Sequence, residues 1–415
     1  MLKQGFKAVK RNGGSPGIDG ITTGDFGARL EEEIALLKAE LESWSYTPQP
    51  VRRVEIPKPG GKGVRLLGVP CVRDRVVQAV LVILLEPIFD PGFSGHSYGF
   101  RPGKSQRQAV ESARRIVTSG KEYIVDIDLS KFFDRISHDR LIERMKTKVE
   151  DKRILRLVGL TLRSGVMTNG SILPTMEGTT QGSPLSPLLS NIVLDELDKE
   201  LEKRGLEFCR FADDCNIFTG SAKASERVMR KVTTFIERRL KLIVNQEKSK
   251  VARSENVKFL GMTIIDGTIA ISAVSMTRAM DKVKELTPRR THLPIEQSIG
   301  QINRWYRGWS EYYSMTQYPS QLAAIEAHIR RRLRARLVSQ MKRPRTVVSK
   351  LMDKGVSRRL AYSTAYSNRR SWAMSHSPGV ERAYPNIWFA NNGLFIRSLS
   401  RLPHWKSVSC WIKIS

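Results

Sequence analysis

Phe208-Cys209-Arg210-Phe211-Ala212-Asp213-Asp214-Cys215-Asn216-Ile217-Phe218 consists of two short apolar runs meeting at a pair of adjacent acids. The pattern predicts a strand, a two-residue acidic turn and a second strand. Upstream, Tyr123-Ile124-Val125-Asp126-Ile127-Asp128 predicts a buried strand that ends in an acid. Between the two lies a loop over residues 182–187, then a long helix. Ser186 is suited to its N-cap and Pro187 to its first position, and Leu189, Val193, Leu197 and Leu201 recur every fourth residue. Another helix is expected over about residues 224–240, followed by short strands at 259–265 and 268–272. The order of elements predicts an α+β fold with helices on one side of an antiparallel sheet.

The surrounding chain has 415 residues, which implies two to four domains. Its formal net charge is +29. Self-repulsion of that size has no use with neutral or acidic substrates, whereas a polyphosphate partner is attracted by it. From Arg278 onward there are 26 Lys and Arg against 7 Asp and Glu, so net +19 falls on the last 138 residues. A more balanced body followed by a basic, nucleic-acid-gripping extension is the natural reading. The four cysteines show no CxxC spacing, so they are read as small buried hydrophobes, not zinc ligands or a disulfide framework. The longest apolar run, residues 76–85, is too short to span a bilayer, and the N-terminus has no signal core. A cytoplasmic protein with no membrane contact is expected.

Beyond Arg278 the pattern turns helical. Ile295, Ile299, Ile302, Tyr306, Trp309 and Tyr313 form one apolar stripe, with Arg304 and Arg307 off it. Leu322, Ile325, Ile329, Leu333 and Leu337 form a second, flanked by Arg330, Arg331, Arg334 and Arg336. The stripes predict bundle core, and the arginines are nucleic-acid-contact candidates.

Carboxylates that converge from separate segments repel one another unless a cation joins them. Phosphodiester synthesis uses such a set. Two Mg²⁺ ions roughly 3.5–4 Å apart stabilise the attacking and leaving oxygens of an in-line displacement. Asp213 and Asp214 on the acidic turn, with Asp128 at a strand end, provide this donor type. Asp126 lies on the same strand face as Asp128 and is the rival ligand.

Three segments resemble, in order, the palm motifs of group II intron reverse transcriptases (maturases): Asp128-Leu129-Ser130-Lys131-Phe132-Phe133-Asp134, Gln181-Gly182-Ser183-Pro184-Leu185-Ser186-Pro187 and Phe211-Ala212-Asp213-Asp214. Ile56-Pro57-Lys58-Pro59-Gly60, Gly99-Phe100-Arg101-Pro102 and Phe259-Leu260-Gly261 fit the same family. The resemblance implies a right-hand polymerase. Fingers are expected over residues 1–120, palm over 121–275, helical thumb over 276–342 and a basic RNA/DNA-binding domain over 343–415.

It also implies roles. Asp128 becomes the first metal-binding aspartate, because the family pattern of Asp, four residues, then an aromatic is met by Phe133. Asp126 is then structural or supporting. Asp213 and Asp214 complete the site for two Mg²⁺ ions, and Phe133 excludes a 2′-hydroxyl, favouring dNTPs. Gln181 and Gly182 line the nascent base pair, and Lys58 and Arg65 grip the triphosphate. Lys248 is a candidate to stabilise pyrophosphate. Phe259, Leu260 and Gly261 resemble the primer grip, and residues 13–23 the N-terminal insertion that clasps template. Arg101, Arg304, Arg307, Arg330, Arg331 and Arg334 are the expected nucleic-acid contacts. Partners implied are group II intron RNA, an RNA template, a DNA primer or target, and dNTPs.

Two departures stand out. The family usually carries Tyr where this chain has Phe211, which keeps the ring and loses one hydroxyl. No clustered Cys and His of an HNH-type endonuclease follows the basic region, so DNA cleavage is not expected; the pattern resembles the compact class associated with group IIC introns. Competing readings are a reverse transcriptase recruited to defence or repair, and a splicing-only maturase.

Overall fold

The computed structural model describes residues 1–57, 63–168, 170–289, 291–367 and 369–397. Lys58, one of the expected triphosphate contacts, lies outside them. The chain divides into two compact units, Met1–Val257 and Lys258–Ser415.

The first unit holds two four-stranded sheets. In one, the order is β2-β1-β4-β5, with β1 (Val51–Pro57) antiparallel to β2 (Val64–Val69) and parallel to β4 (Val166–Thr168), which pairs with β5 (Ser171–Leu173). In the other, the order is β6-β7-β3-β8, and every neighbouring pair is antiparallel. Its strands are β3 (Tyr123–Ile127), β6 (Glu207–Phe211), β7 (Asp214–Thr219) and β8 (Lys250–Arg253). One face of this second sheet is closed by alternation: Val125, Ile127, Cys215 and Ile217 are buried in one apolar core with Leu189, Ile192 and Leu197 of the helix Ser186–Lys203. The helix Ala222–Phe235 packs on β3, β7 and β8, and Gln106–Thr118 packs on β6. This is the expected α+β layering.

The helix start differs by one residue from the expectation. Leu185 is the N-cap and Ser186 the first helical residue, with Pro187 after it. The Ser186 hydroxyl is used elsewhere: it bonds Thr180 O at 2.8 Å and the Thr179 hydroxyl at 2.6 Å, tying the preceding loop to the helix.

A separate small core of Phe6, Phe26, Leu37, Val72, Val76 and Val77 joins the N-terminal helices to the start of the helix Val72–Phe89. Arg75 of that helix donates to Ser15 O at 2.8 Å and Gly13 O at 3.3 Å, so a side chain of the body holds the 13–23 loop by its backbone.

Among its described residues the second unit is helical apart from loops and the hairpin β9 (Met262–Ile265) and β10 (Thr268–Ile271). The stripes read from the sequence form its core: Ile299, Ile302 and Tyr306 are buried in the helix Ile295–Tyr312, and Leu322, Ile325, Ile329 and Leu333 in Pro319–Gln340. Tyr306 donates to Glu326 at 2.8 Å between the two helices. Among the described residues no helix is long and apolar enough to cross a membrane. Cys71, Cys209 and Cys215 are free and buried, as expected of small hydrophobes.

Candidate active site

The two-residue turn falls one residue earlier than expected: Phe211 pairs with Asp214, so Ala212 and Asp213 form the tip, with Ala212 at φ +57°, and Asp214 is the first residue of β7. A positive φ at the first central position matches the twist of the two strands, but it is unusual for a residue with a Cβ. The surroundings hold it there. Arg210, fully buried, donates to Ala212 O at 2.9 Å. On the outer side, Tyr98 N donates to Arg210 O at 2.8 Å and Arg210 N to His96 O at 2.9 Å. Gly99 packs so closely that a Cβ there would lie 2.2 Å from Ala212 N.

Asp128 stands one residue beyond β3. Ile127 pairs with Cys215, so continuing that register brings Asp128 opposite Asp214. Its backbone is clamped from the far end of the unit: Asn245 N donates to Asp128 O at 2.8 Å, and Asp128 N donates to the Ser249 hydroxyl at 3.0 Å. Lys248, on the turn between those two clamps, sets its Nζ 3.4 Å from both Asp128 carboxylate oxygens. The turn is made by Asn245, whose Oδ1 accepts from the backbone of Glu247 and Lys248.

Burial pushes the Asp213 carboxyl above the usual carboxylate range; the Asp128 charge pushes the same way, and Arg65 and Arg210 oppose it. Asp128, Asp213 and Arg65 are therefore within electrostatic reach of one another. Arg65 is exposed on β2, in the other sheet. That sheet is fastened to the 180–182 loop at Gly68, whose N–H donates to Gln181 O at 2.9 Å. Gly182 takes φ +107°, and a Cβ there would sit 3.2 Å from Gly68 O. Phe133 is half-buried, with its ring edge-on to Phe132, and its carbonyl accepts from Thr179 N at 2.7 Å. Thus Arg65, Gln181, Gly182 and Phe133 stand on segments joined to one another by backbone hydrogen bonds.

Among the described residues no three His, Cys, Asp or Glu are already drawn together as a metal cage. The chemistry of the donors nevertheless suits a hard divalent cation. The Asp128 charge opposes ionisation of the Asp213 carboxyl, and a cation held between the two removes that conflict. On the same sheet Asn216, 1 % exposed and paired across from Asp126, has neither amide atom hydrogen-bonded within the protein. Such an orphan suits the water shell of a hydrated ion.

The other expected residues fall into two groups. Leu260 at φ +51° and Gly261 at φ +81° form a tight turn closed by Met262 N to Phe259 O at 2.9 Å, in the second unit. Tyr312 donates to Leu260 O at 3.2 Å, and a Cβ on Gly261 would strike the Tyr313 hydroxyl at 2.5 Å. Arg304 and Arg307 are exposed, Arg307 lying over the Phe395 ring, while Arg330 and Arg331 are half-buried, with Arg331 4.1 Å from the Trp372 ring centroid. Arg101 and Arg334 do not face outward. Arg101 is spent on Asp90, Ser94 O and Ser97 O, and Arg334 donates to Tyr384 O at 2.8 Å and Asn386 Oδ1 at 3.1 Å. These donors are engaged within the fold, whereas Arg304 and Arg307 are exposed. Sequence reasoning also missed Arg210, Asn191, Asp198, Asn245 and Ser249, whose work depends on partners far away in the chain.

Asp213 on the hairpin tip, Asp214 at the start of β7, Asp128 just beyond the neighbouring strand and the charge of Arg65 from a second sheet come together in the first unit. Residues 56–264 match the family described as Reverse transcriptase (RNA-dependent DNA polymerase), and residues 276–355 match Group II intron, maturase-specific domain. The chain belongs to the reverse transcriptases and carries the maturase domain of group II intron proteins; it is an RNA-directed DNA polymerase by class, dependent on a divalent metal and binding RNA and DNA. It is 33 % identical over 290 residues to protein YkfC of Escherichia coli, covering 60 % of this chain and 76 % of that one. It is 35 % identical over 221 residues to the group II intron-encoded protein LtrA of Lactococcus lactis, covering 53 % of this chain but only 36 % of LtrA. Among solved structures, a Candida tropicalis telomerase aligns at TM-score 0.45 and 12 % identity, covering 83 % of this chain and 67 % of that one. A Cas6-RT-Cas1–Cas2 complex aligns at 0.35 and 25 %, covering 57 % and 40 %.

Proposed function

We propose that this chain extends a primer on an RNA template, with Asp128, Asp213 and Asp214 holding two Mg²⁺ ions, and that it binds its group II intron RNA to assist splicing and mobility. One observation carries the reading: Asp128, Asp213, Arg65 and Lys248, from four separated segments, converge electrostatically. When bound, the ions activate the primer 3′-hydroxyl and neutralise the departing pyrophosphate.

The protein's own groups do the rest. Arg65 reaches toward the acids from β2, where a triphosphate's charge grows as its bond breaks. Gln181 and Gly182, fixed against Gly68, form the floor on which a base pair rests. Phe133 presents a ring where a 2′-hydroxyl would otherwise fit. Lys248, already at Asp128, is positioned to meet pyrophosphate. Lys58 joins Arg65 in this reading, and Phe259, Leu260 and Gly261 form a primer grip. The exposed Arg304 and Arg307, and the half-buried Arg330 and Arg331, offer contacts to phosphate. The polymerase parts are fingers 1–120, palm 121–275, thumb 276–342 and basic domain 343–415.

Primer extension on an RNA template with dNTPs and Mg²⁺ tests this. Asp213→Ala should lower the rate by at least about 10³-fold, the scale of several kcal/mol of charge stabilisation. Equal cDNA from both proteins would refute the site.

A further inference from the structure

We propose that the helix Arg358–Ala365 carries a stacking platform for single-stranded nucleic acid, built from Arg358, Tyr362 and Tyr366. The three residues recur at helical spacing on one stripe. The Tyr362 and Tyr366 rings are nearly parallel, 11° apart with centroids separated by 6.0 Å, and the Arg358 guanidinium lies 5.7 Å from the Tyr362 centroid. The stack faces solvent: Tyr362 is 45 % and Tyr366 57 % exposed. The opposite face of the helix packs with Ala361, Thr364 and Ala365, so the rings are not needed to close the core.

Charge selects the partner. From Pro344 to Arg370 there are seven Lys and Arg against one acid, Asp353. All seven are exposed, and none forms an ion pair among the described residues. Within the fold these cations gain only ring contacts, Arg358 over Tyr362 and Lys354 over Trp388, whereas a polyanion with free base faces would satisfy both the charges and the rings. Bases in a duplex have their faces covered by neighbours; only an unpaired strand can lay a base on tyrosine. The stack therefore fits single-stranded RNA or DNA. This inference deepens the proposed function, since it rests on the chain handling nucleic acid, but it names a surface outside the catalytic unit.

The test uses the full chain with fluorescent U12, dT12 and a 12-base-pair duplex, and U12 carrying 4-thiouridine for crosslinking. Tyr362→Ala/Tyr366→Ala should weaken U12 or dT12 binding by at least about tenfold, leave duplex binding within about twofold, and remove a crosslink in the peptide between Arg359 and Arg369. Tyr362→Phe/Tyr366→Phe should retain binding, because the ring and not the hydroxyl is used. The slope of affinity against salt should stay the same in both variants, since neither changes charge. Preference for U12 over dT12, or the reverse, tells which strand is the partner. No crosslink in that peptide, unchanged oligonucleotide binding, or equal loss of duplex binding would each overturn the proposal. Primer extension by the same proteins keeps the two readings apart: a wild type that makes no cDNA counts against the proposed function, not against the platform.

Discussion

Arg210 and Asp198 form a bidentate ion pair from which water is wholly excluded: Nε to Oδ1 is 2.7 Å, Nη2 to Oδ2 is 2.6 Å, and neither side chain exposes any surface. Burial works against the Arg210 charge, but Asp198 beside it outweighs burial and holds the guanidinium's pKa above its ordinary value. The remaining nitrogen donates to Ala212 O at 2.9 Å and to Asn191 Oδ1 at 3.0 Å, and Asn191 in turn donates to Gly99 O at 2.9 Å. A helix, a strand and the 96–99 segment are thereby keyed to the carbonyl of the residue before Asp213. The pair is weak evidence for stability, since buried pairs repay much of their gain in desolvation. Its geometric value is that it fixes the acidic tip.

Arg210→Met should destabilise the protein by about 3–5 kcal/mol, because Asp198 is left buried without its partner. The double variant Arg210→Met/Asp198→Leu should recover most of that loss in urea unfolding. It should not recover kcat, because Ala212 O still lacks its donor. Full recovery of both stability and kcat would show that the pair has no positioning role.

Gly99→Ala tests the same tip from the other side. The added carbon would lie 2.2 Å from Ala212 N and 2.9 Å from Phe211 C, and backbone atoms cannot swing away as a side chain can. The hairpin must shift. A displacement of about 1 Å at reacting groups costs on the order of 10²-fold in rate. Gly95→Ala is the control, with nothing within 4 Å of its added carbon and no positive φ. It should polymerise at the wild-type rate.

Local pattern made much of this readable in the sequence. Short apolar runs bounded by acids marked β3 and the hairpin, and four-residue recurrence marked the helix behind them, because those signals are local in the chain. What holds Asp128 does not. Its clamps, Asn245 and Ser249, stand more than a hundred residues away, and nothing local marks them. The arginines show the same limit. Arg101 and Arg307 look alike as charges, yet Asp90 and two carbonyls draw one inward, whereas the other remains outside over Phe395. Charge is visible in a sequence; the partner that neutralises it is visible only once the chain has folded.

Lys248 separates function from stability. Its side chain is 64 % exposed and that of Asp128 34 %, so the pair contributes no more than about 1 kcal/mol. Lys248→Met should leave the unfolding midpoint nearly unchanged. It should lower kcat by about tenfold or more if Lys248 meets the leaving pyrophosphate. It should also reduce the Mg²⁺ concentration needed for half-maximal rate, because the ammonium no longer competes for Asp128. A variant with wild-type kcat and Mg²⁺ dependence would make Lys248 an ordinary surface lysine.

Asp74 predicts a pH dependence. It is 1 % exposed, and burial raises its pKa to about 6, although Tyr46 Oη donates at 2.7 Å and Gln49 N at 3.0 Å. A carboxyl raised in the folded state binds more protons folded than unfolded between its ordinary value and about 6. Its contribution is fully present below the ordinary carboxylate range and is lost as pH rises through about 6. Wild-type stability relative to Asp74→Asn should therefore fall between pH 4.5 and pH 7, by on the order of 2 kcal/mol. The amide carries no titrating proton, so the difference between the two urea-unfolding curves isolates this residue. A difference that stays flat, or rises with pH, would mean that the hydrogen bonds from Tyr46 and Gln49 outweigh burial and that Asp74 is an ordinary charged anchor for the segment leading into β1.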